Sequence, residues 1–317
     1  MQASLRTLLA SCVLLVLAAC ATTPSIEPPV ALLAPGETPP QSPALYVVQD
    51  ADSTLYLYGT VHILPPNTPW GGANAEAALA QADEVWTELE ISPASDALTA
   101  ALALRYGFVT PENALSNRLS PEDYASLEAA AERAGMPIRS LDLMRPWMAA
   151  LTLSIAPTLE AGFDPQAGVD RAVDAAAEAA GKTMRAFETP EQQMRFFADL
   201  SEEAELEMLR DAIEDVESGS GDMERLFEAW RTGDIEQLEH LGVGEMREEH
   251  AQLYDVIIRR RNVAWRNTLI AELEGAGVDF VAVGAAHLVG EDGLVDLLRE
   301  SGYRVTRAGD VTPSTGE

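Results

Sequence analysis

Hydrophobic positions in this 317-residue chain follow two regimes: short apolar runs of strand length near the ends, and helically spaced apolar residues between them. "ALYVVQDADSTLYLYGTVHIL", residues 44–64, predicts two strands rich in Val, Tyr and Leu, with "DADS" as the turn of a β-hairpin. "ANAEAALAQAD" then predicts an alanine-rich helix and "EVWTELEI" a third strand, which is the order of an α/β unit. From Ser92 to about residue 275 the pattern is helical. Ser120 and Pro121 open one predicted helix and Gly135 closes it; Gly181 closes another; Thr189 and Pro190 open a third. "SGSGDMERLFEAWRTGD" supplies a Gly/Ser break and a further helix. The longest predicted helix starts at His250, with Leu253, Val256, Ile257, Val263, Leu269 and Ile270 at helical spacing. Strand pattern returns at "DFVAVG", residues 279–284, followed by a helix in "DGLVDLLRESG" and a last strand in "YRVTRAG". The expected class is α/β, with a mixed β-sheet core built from N- and C-terminal segments and a large helical middle region as cap or outer layer.

The first forty-three residues read differently. "MQASLRTLLASCVLLVLAAC" has Arg6, an apolar run from Leu8 to Ala19, and then Cys20. That run is shorter than the ~20 residues a membrane span needs and reads as a signal peptide. "LAAC" resembles a bacterial lipobox, which implies cleavage before Cys20 and lipidation there; Ala21 in place of Asp favours, under the common sorting rule, an outer-membrane lipoprotein facing the periplasm. Residues 20–43 are rich in proline and read as an extended tether, with the folded domain at 44–310 and a tail at 311–317. Cys12 leaves with the signal and Cys20 carries lipid, so the mature chain has no thiol for a disulfide or a nucleophile.

Charge removes one class of function. With 21 basic and 51 acidic residues the formal net charge is −30, which repels phosphate backbones, so nucleic acid is not a partner. The membrane is reached by the lipid anchor only. The sequence does not fix an oligomeric state.

Two of the four histidines share a local pattern: apolar strand, glycine, two small or apolar residues, histidine. They are Gly59 with His62 in "LYLYGTVHIL" and Gly284 with His287 in "VDFVAVGAAHLVG". Side chains at strand ends reach the sheet edge where α/β proteins build their sites. Two imidazoles and a carboxylate make a three-ligand metal site with a position left for water. Glu88, in the apolar "VWTELEI", is the candidate acid, and its i+2 neighbour Glu90 is not separated from it by the sequence. Glu88 is open to either role, metal ligand or general base. His240 and His250 lie in polar helical sequence and are read as surface residues.

"YLYGTVHIL", "ADEVWTELEI", "GVDRAVDAAAEAAGKTMRAFETPEQQ", "RRRNVAW" and "FVAVGAAHLVGEDGLVDLLRESGYRVTR" together resemble the TraB/GumN family, relatives of the Tiki metalloproteases. The resemblance runs from about Leu45 to Arg307. It implies a metal-dependent hydrolase-like core in which Gly59, His62, Glu88, Gly284 and His287 occupy the family's motif positions. The Tiki branch uses Mn²⁺ or Co²⁺ to cleave peptide bonds, so the resemblance implies a divalent ion and a peptide or protein substrate; Zn²⁺ also suits imidazole ligands. Asp170 and Glu188 are matched acids; on their own, Asp170 and Asp174 read as helix-opening dipole partners. The Arg-Asn pair singles out Arg261 and Asn262 from the basic run, with Arg261 steadying a carboxylate or an anionic transition state. A non-catalytic lipoprotein that binds or sequesters a peptide or sugar is the rival reading. No G-x-S-x-G, P-loop or dinucleotide fingerprint occurs.

Overall fold

The computed structural model describes residues 41–218 and 221–309. Strand β1 (Leu45–Gln49) turns back through an Asx turn, in which the Asp50 carboxylate accepts from the amides of Asp52 and Ser53, into β2 (Ser53–Thr60). β3 (Glu84–Leu89) follows the helix Ala73–Gln81. β4 (Thr183–Glu188) follows the helix Val169–Ala179. β5 (Gly277–Gly284) and β6 (Arg304–Arg307) complete one six-stranded sheet in the order β4-β3-β5-β2-β1-β6. β4, β3, β5 and β2 are mutually parallel, and β1 lies antiparallel to both β2 and β6. The expected mixed sheet from both chain ends is therefore present.

β4 corrects the reading of an uninterrupted helical middle. "TMRAFE" lies inside the region read as helix, yet it pairs with β3 from Glu84↔Thr183 to Leu89↔Glu188. It is an edge strand with one flank open, so it carries Thr, Lys-adjacent and Arg positions instead of an apolar run.

Alternation along the strands divides the core. Tyr56, Tyr58, Val85, Phe280 and Ala282 pack on one face with Ala78, Val173 and Trp230. Leu55, Leu57, Trp86, Val281 and Val283 pack on the other with Trp265, Leu269 and Leu298. The central β2 is buried along its whole length, which is why its middle, Leu55–Tyr58, is continuously apolar or aromatic. The helical middle has its own core around Leu115, Leu127, Leu141, Leu153 and Leu209, and half-buried Arg145 pairs with buried Glu205 in the same region.

The predicted helix ends are confirmed by their caps. Ser120 Oγ accepts from Asp123 N, Thr189 and Gln192 form a capping box, and Gly135 and Gly181 end their helices at φ 65° and 67°. The long helix from Ala251 to Leu273 is present but contains a π turn at Asp255–Arg259, and a second π turn spans His240–Gly244. Among the described residues no helix is long and apolar enough to cross a membrane.

Candidate functional site

All four parallel strands end on one rim of the sheet, and each delivers a polar side chain there. Glu88 is the penultimate residue of β3 and Glu188 the last of β4. His62 lies two residues beyond β2, and His287 lies in the short 3₁₀ turn Ala285–Leu288 after β5. This is the carboxyl edge at which open α/β sheets place their ligands.

Glu88 Oε1 faces both rings, 4.0 Å from His62 Nε2 and 3.9 Å from His287 Nε2, and accepts from Gly284 N at 2.8 Å. Gly284 sits where the three meet. A Cβ there would lie 3.1 Å from Glu88 Oε1, 3.5 Å from His287 Cδ2 and 3.6 Å from His62 Nε2. Gly59, its counterpart in sequence, has another task. β2 and β5 are offset by one residue, so Gly59 pairs with Val283 and Thr60 with Gly284. The missing Gly59 side chain makes room for Ala285, and its carbonyl accepts from Trp230 Nε1 at 2.8 Å.

The two imidazoles are held differently. Asp170 Oδ1 accepts from His62 Nδ1 at 3.2 Å, which turns Nε2 towards Glu88. Crowding of the ring opposes its charged form, but the Asp170 hydrogen bond and the Glu88 and Asp170 charges outweigh it, so its pKa moves up; 58% side-chain exposure moderates that rise. His287 is buried. Asn262 Nδ2 donates to the carbonyls of His287 and Asp292, so its Oδ1 accepts from His287 Nδ1 at 2.6 Å. His287 Nε2 therefore carries the lone pair. Burial first, and the Arg261 and His62 charges after it, outweigh Glu88 and push this ring down to about 3, so it is neutral.

Arg261 ties the cluster together. Nε and Nη2 make a fork to Glu188 at 2.8 and 2.9 Å, and Nη2 also reaches Glu88 Oε2 at 2.5 Å. Nη1 donates to His287 Nε2 at 3.1 Å and to the Ile257 carbonyl at 3.2 Å. The guanidinium lies between the rings of Phe196 and Trp265, and Trp265 Nε1 donates to Glu188 Oε1 at 3.0 Å. Burial alone would raise the Glu88 carboxyl; the charges of His287, Arg261 and His62 and the Gly284 amide reverse that and hold it at about 2. With His287 neutral, Arg261 is the partner that maintains the carboxylate.

The strand end separates the two candidate acids: Glu90 lies beyond β3, is exposed, and lines another cavity with Asp174 and Glu178. Gln193, Trp265 and Phe196 belong to the cluster but were not singled out from sequence. Gln193 Nε2 donates to Glu188 Oε2 at 3.0 Å and approaches Glu88 at 3.5 Å. For Trp265 the cue was available, since it falls one helical turn after Arg261. His240 is exposed, and His250 pairs with Asp211 at 3.0 Å. Cys20 lies outside the described residues.

The donor set suits a divalent ion. Asp170, Glu88 and Glu188 bring three carboxylates against Arg261 and the upward-shifted His62, with His287 held neutral. Two metal–ligand bonds of ~2.0–2.2 Å span at most ~4.4 Å, so each histidine is within straddling distance of Glu88 Oε1. Arg261 Nη1 stands at His287 Nε2, which makes His62 and Glu88 the freer pair. His62, Glu88 and His287 do not all close to within 4.8 Å of one another; among the described residues the group that does is Glu84, Glu272 and Asp279, at the opposite rim of the sheet.

A mixed α/β sheet with two Gly-x-x-His turns flanking a strand-borne glutamate defines the class. Residues 44–307 match the TraB/PrgY/gumN family, and the chain belongs to it. Among curated proteins it is similar to the uncharacterized protein YbaP of Escherichia coli (strain K12), 24% identical over 266 residues, covering 81% of this chain and 92% of the relative. YbaP of Shigella flexneri matches over the same length with the same identity. No solved structure matches significantly.

Proposed function

We propose that the chain is a divalent-metal-dependent hydrolase acting on peptide bonds, held to the envelope through lipidated Cys20. The observation that carries this reading is the convergence of His62 Nε2 and His287 Nε2 on Glu88 Oε1 in front of Gly284. His62 and Glu88, with His287 beside them, would hold the ion. A bound divalent ion supplies a Lewis acid and a water of lowered pKa.

The remaining chemistry is assigned to the protein's own groups. Asp170 fixes the His62 tautomer and Asn262 that of His287, so both present Nε2. Arg261 is a positioning residue: each of its N–H groups already has an acceptor, and its charge keeps Glu88 ionised. Glu88 Oε2 is engaged by Arg261, so Oε1 is the atom available to ligate or to take a proton from an attacking water. Glu188 balances Arg261 and is itself fixed by Trp265 and Gln193.

Metal content and hydrolysis of fluorogenic peptides test the reading, with Mn²⁺, Co²⁺ and Zn²⁺ supplied in turn. The wild type is expected to bind near one ion per chain and lose turnover with chelator. His62→Ala is expected to lose at least ~10-fold in metal affinity, since losing even a hydrogen-bond partner of a ligand costs that much. Equal metal in both proteins, or turnover indifferent to chelator, overturns it.

A further inference from the structure

A cleft of about 470 Å³ includes the histidine–glutamate cluster in its lining, and its remaining lining is mostly apolar. His62, Glu88, Gln193 and Arg261 stand at one end. Val61, Ile63, Phe196, Leu226, Met246 and Ile257 are among the residues that line the rest. Both π turns contribute to the wall, Gly242 from one and Ile257 and Ile258 from the other. Such turns recur at functional sites because they re-aim side chains out of the regular helical register.

Resting on the hydrolase reading, we infer that this cleft selects a substrate carrying a large apolar side chain, of the Phe, Leu or Met kind, beside the scissile carbonyl. The lining decides the chemistry. At the polar end, Arg261 has an acceptor for each N–H, and Gln193 donates to Glu188. The apolar walls bring aliphatic, thioether and aromatic side chains to the remaining volume. A sugar or a charged side chain seated against them would leave its polar groups unpaired, whereas an aliphatic or aromatic one loses only water. The volume lies in the range of small-ligand pockets and exceeds what a water or a bare ion needs. Because His62, Glu88 and Arg261 line the same cleft as the apolar residues, a side chain seated there directs its own backbone towards the cluster.

Two measurements test this, both on the wild-type mature chain. In the first, fluorogenic peptides differ only at the residues flanking the cleaved bond. Phe, Leu or Met on one side is expected to give kcat/KM at least ~10-fold above Gly, Asp or Lys, the discrimination an apolar pocket achieves. In the second, N-acetyl-Phe-amide and N-acetyl-Asp-amide are titrated calorimetrically with chelator present. Binding of the first and not the second supports the cleft even if no peptide is cleaved, in which case only the hydrolase reading fails. Leu226→Asp should invert the ranking towards basic side chains, while Leu226→Met should preserve it; Ile63→Ser serves if Leu226→Asp does not fold. Equal turnover across the peptides, or no preference between the two amides, overturns the inference.

Discussion

Gly284 shows how closely the cluster is built. Its φ of −49° and ψ of 134° suit any residue, so alanine there brings no backbone strain. The added methyl would stand 3.1 Å from Glu88 Oε1, in the space that the carboxylate shares with both imidazoles. Gly284→Ala is therefore expected to fold, with unfolding free energy within ~1 kcal/mol of wild type, yet to lose metal affinity and turnover at least ~10-fold. Metal titration beside thermal unfolding checks this; unaltered metal binding would mean that the space is not used. At this scale the sequence revealed much through the repeated Gly-x-x-His pattern and the acid on an apolar strand. It left Glu88 and Glu90 unseparated, because alternation puts i and i+2 on one side only while the strand lasts, and β3 stops at Leu89. Apart from the family resemblance, which marked Asp170 as a matched acid, it offered Asp170 a helix-opening role, since its partner His62 is 108 residues away.

Among the elements, β5 meets acidic clusters at both ends for opposite reasons. Its C-terminal end feeds the cluster, while Asp279 near its start is buried beside Glu84 and Glu272. Burial first, then the charges of Glu272, Glu84 and Asp83, outweigh Arg185 and push the Asp279 carboxyl up to about 7. The unfolded chain releases this proton near the ordinary value of 3.8, so between about pH 4 and 7 the folded state binds more protons. Stability is consequently expected to fall as pH rises through that window and to level off above it. Asp279→Asn should remove that part of the slope and raise stability at pH 8 by on the order of 2 kcal/mol, allowing for water that reaches the half-buried acids around it. Urea unfolding at pH 5 and pH 8 decides; an unchanged slope would place the pH dependence elsewhere. The same scale explains the strand that periodicity missed. Central β2 and β5 advertise themselves because both faces and both edges are covered, whereas β4 has a solvent-facing flank and only six residues. Helix ends were legible because Ser120, Thr189, Gly135 and Gly181 act through short-range hydrogen bonds and backbone conformation.

For the molecule as a whole, the excess of acidic residues bears on how substrates arrive. A formal net charge of −30 attracts cationic peptides over distances set by the Debye length, ~10 Å at 0.1 M salt. For peptides that share an apolar residue at the cleaved bond, kcat/KM of a Lys-flanked substrate is expected to fall several-fold from 20 to 500 mM salt, and that of a Glu-flanked one to rise. Parallel salt profiles for the two would show that the field does not act at the cleft. The placement of β1 has a more practical outcome. Leu45 pairs with Tyr58 near the exit end of β2, and Leu45 O accepts from Ala308 N, so the chain enters and leaves the domain at the histidine-bearing rim. A purification tag joined directly to Ala44, or immobilisation through that end, would sit on the same rim as the cluster, on its β1 side, and a long spacer keeps it clear of the site in any assay.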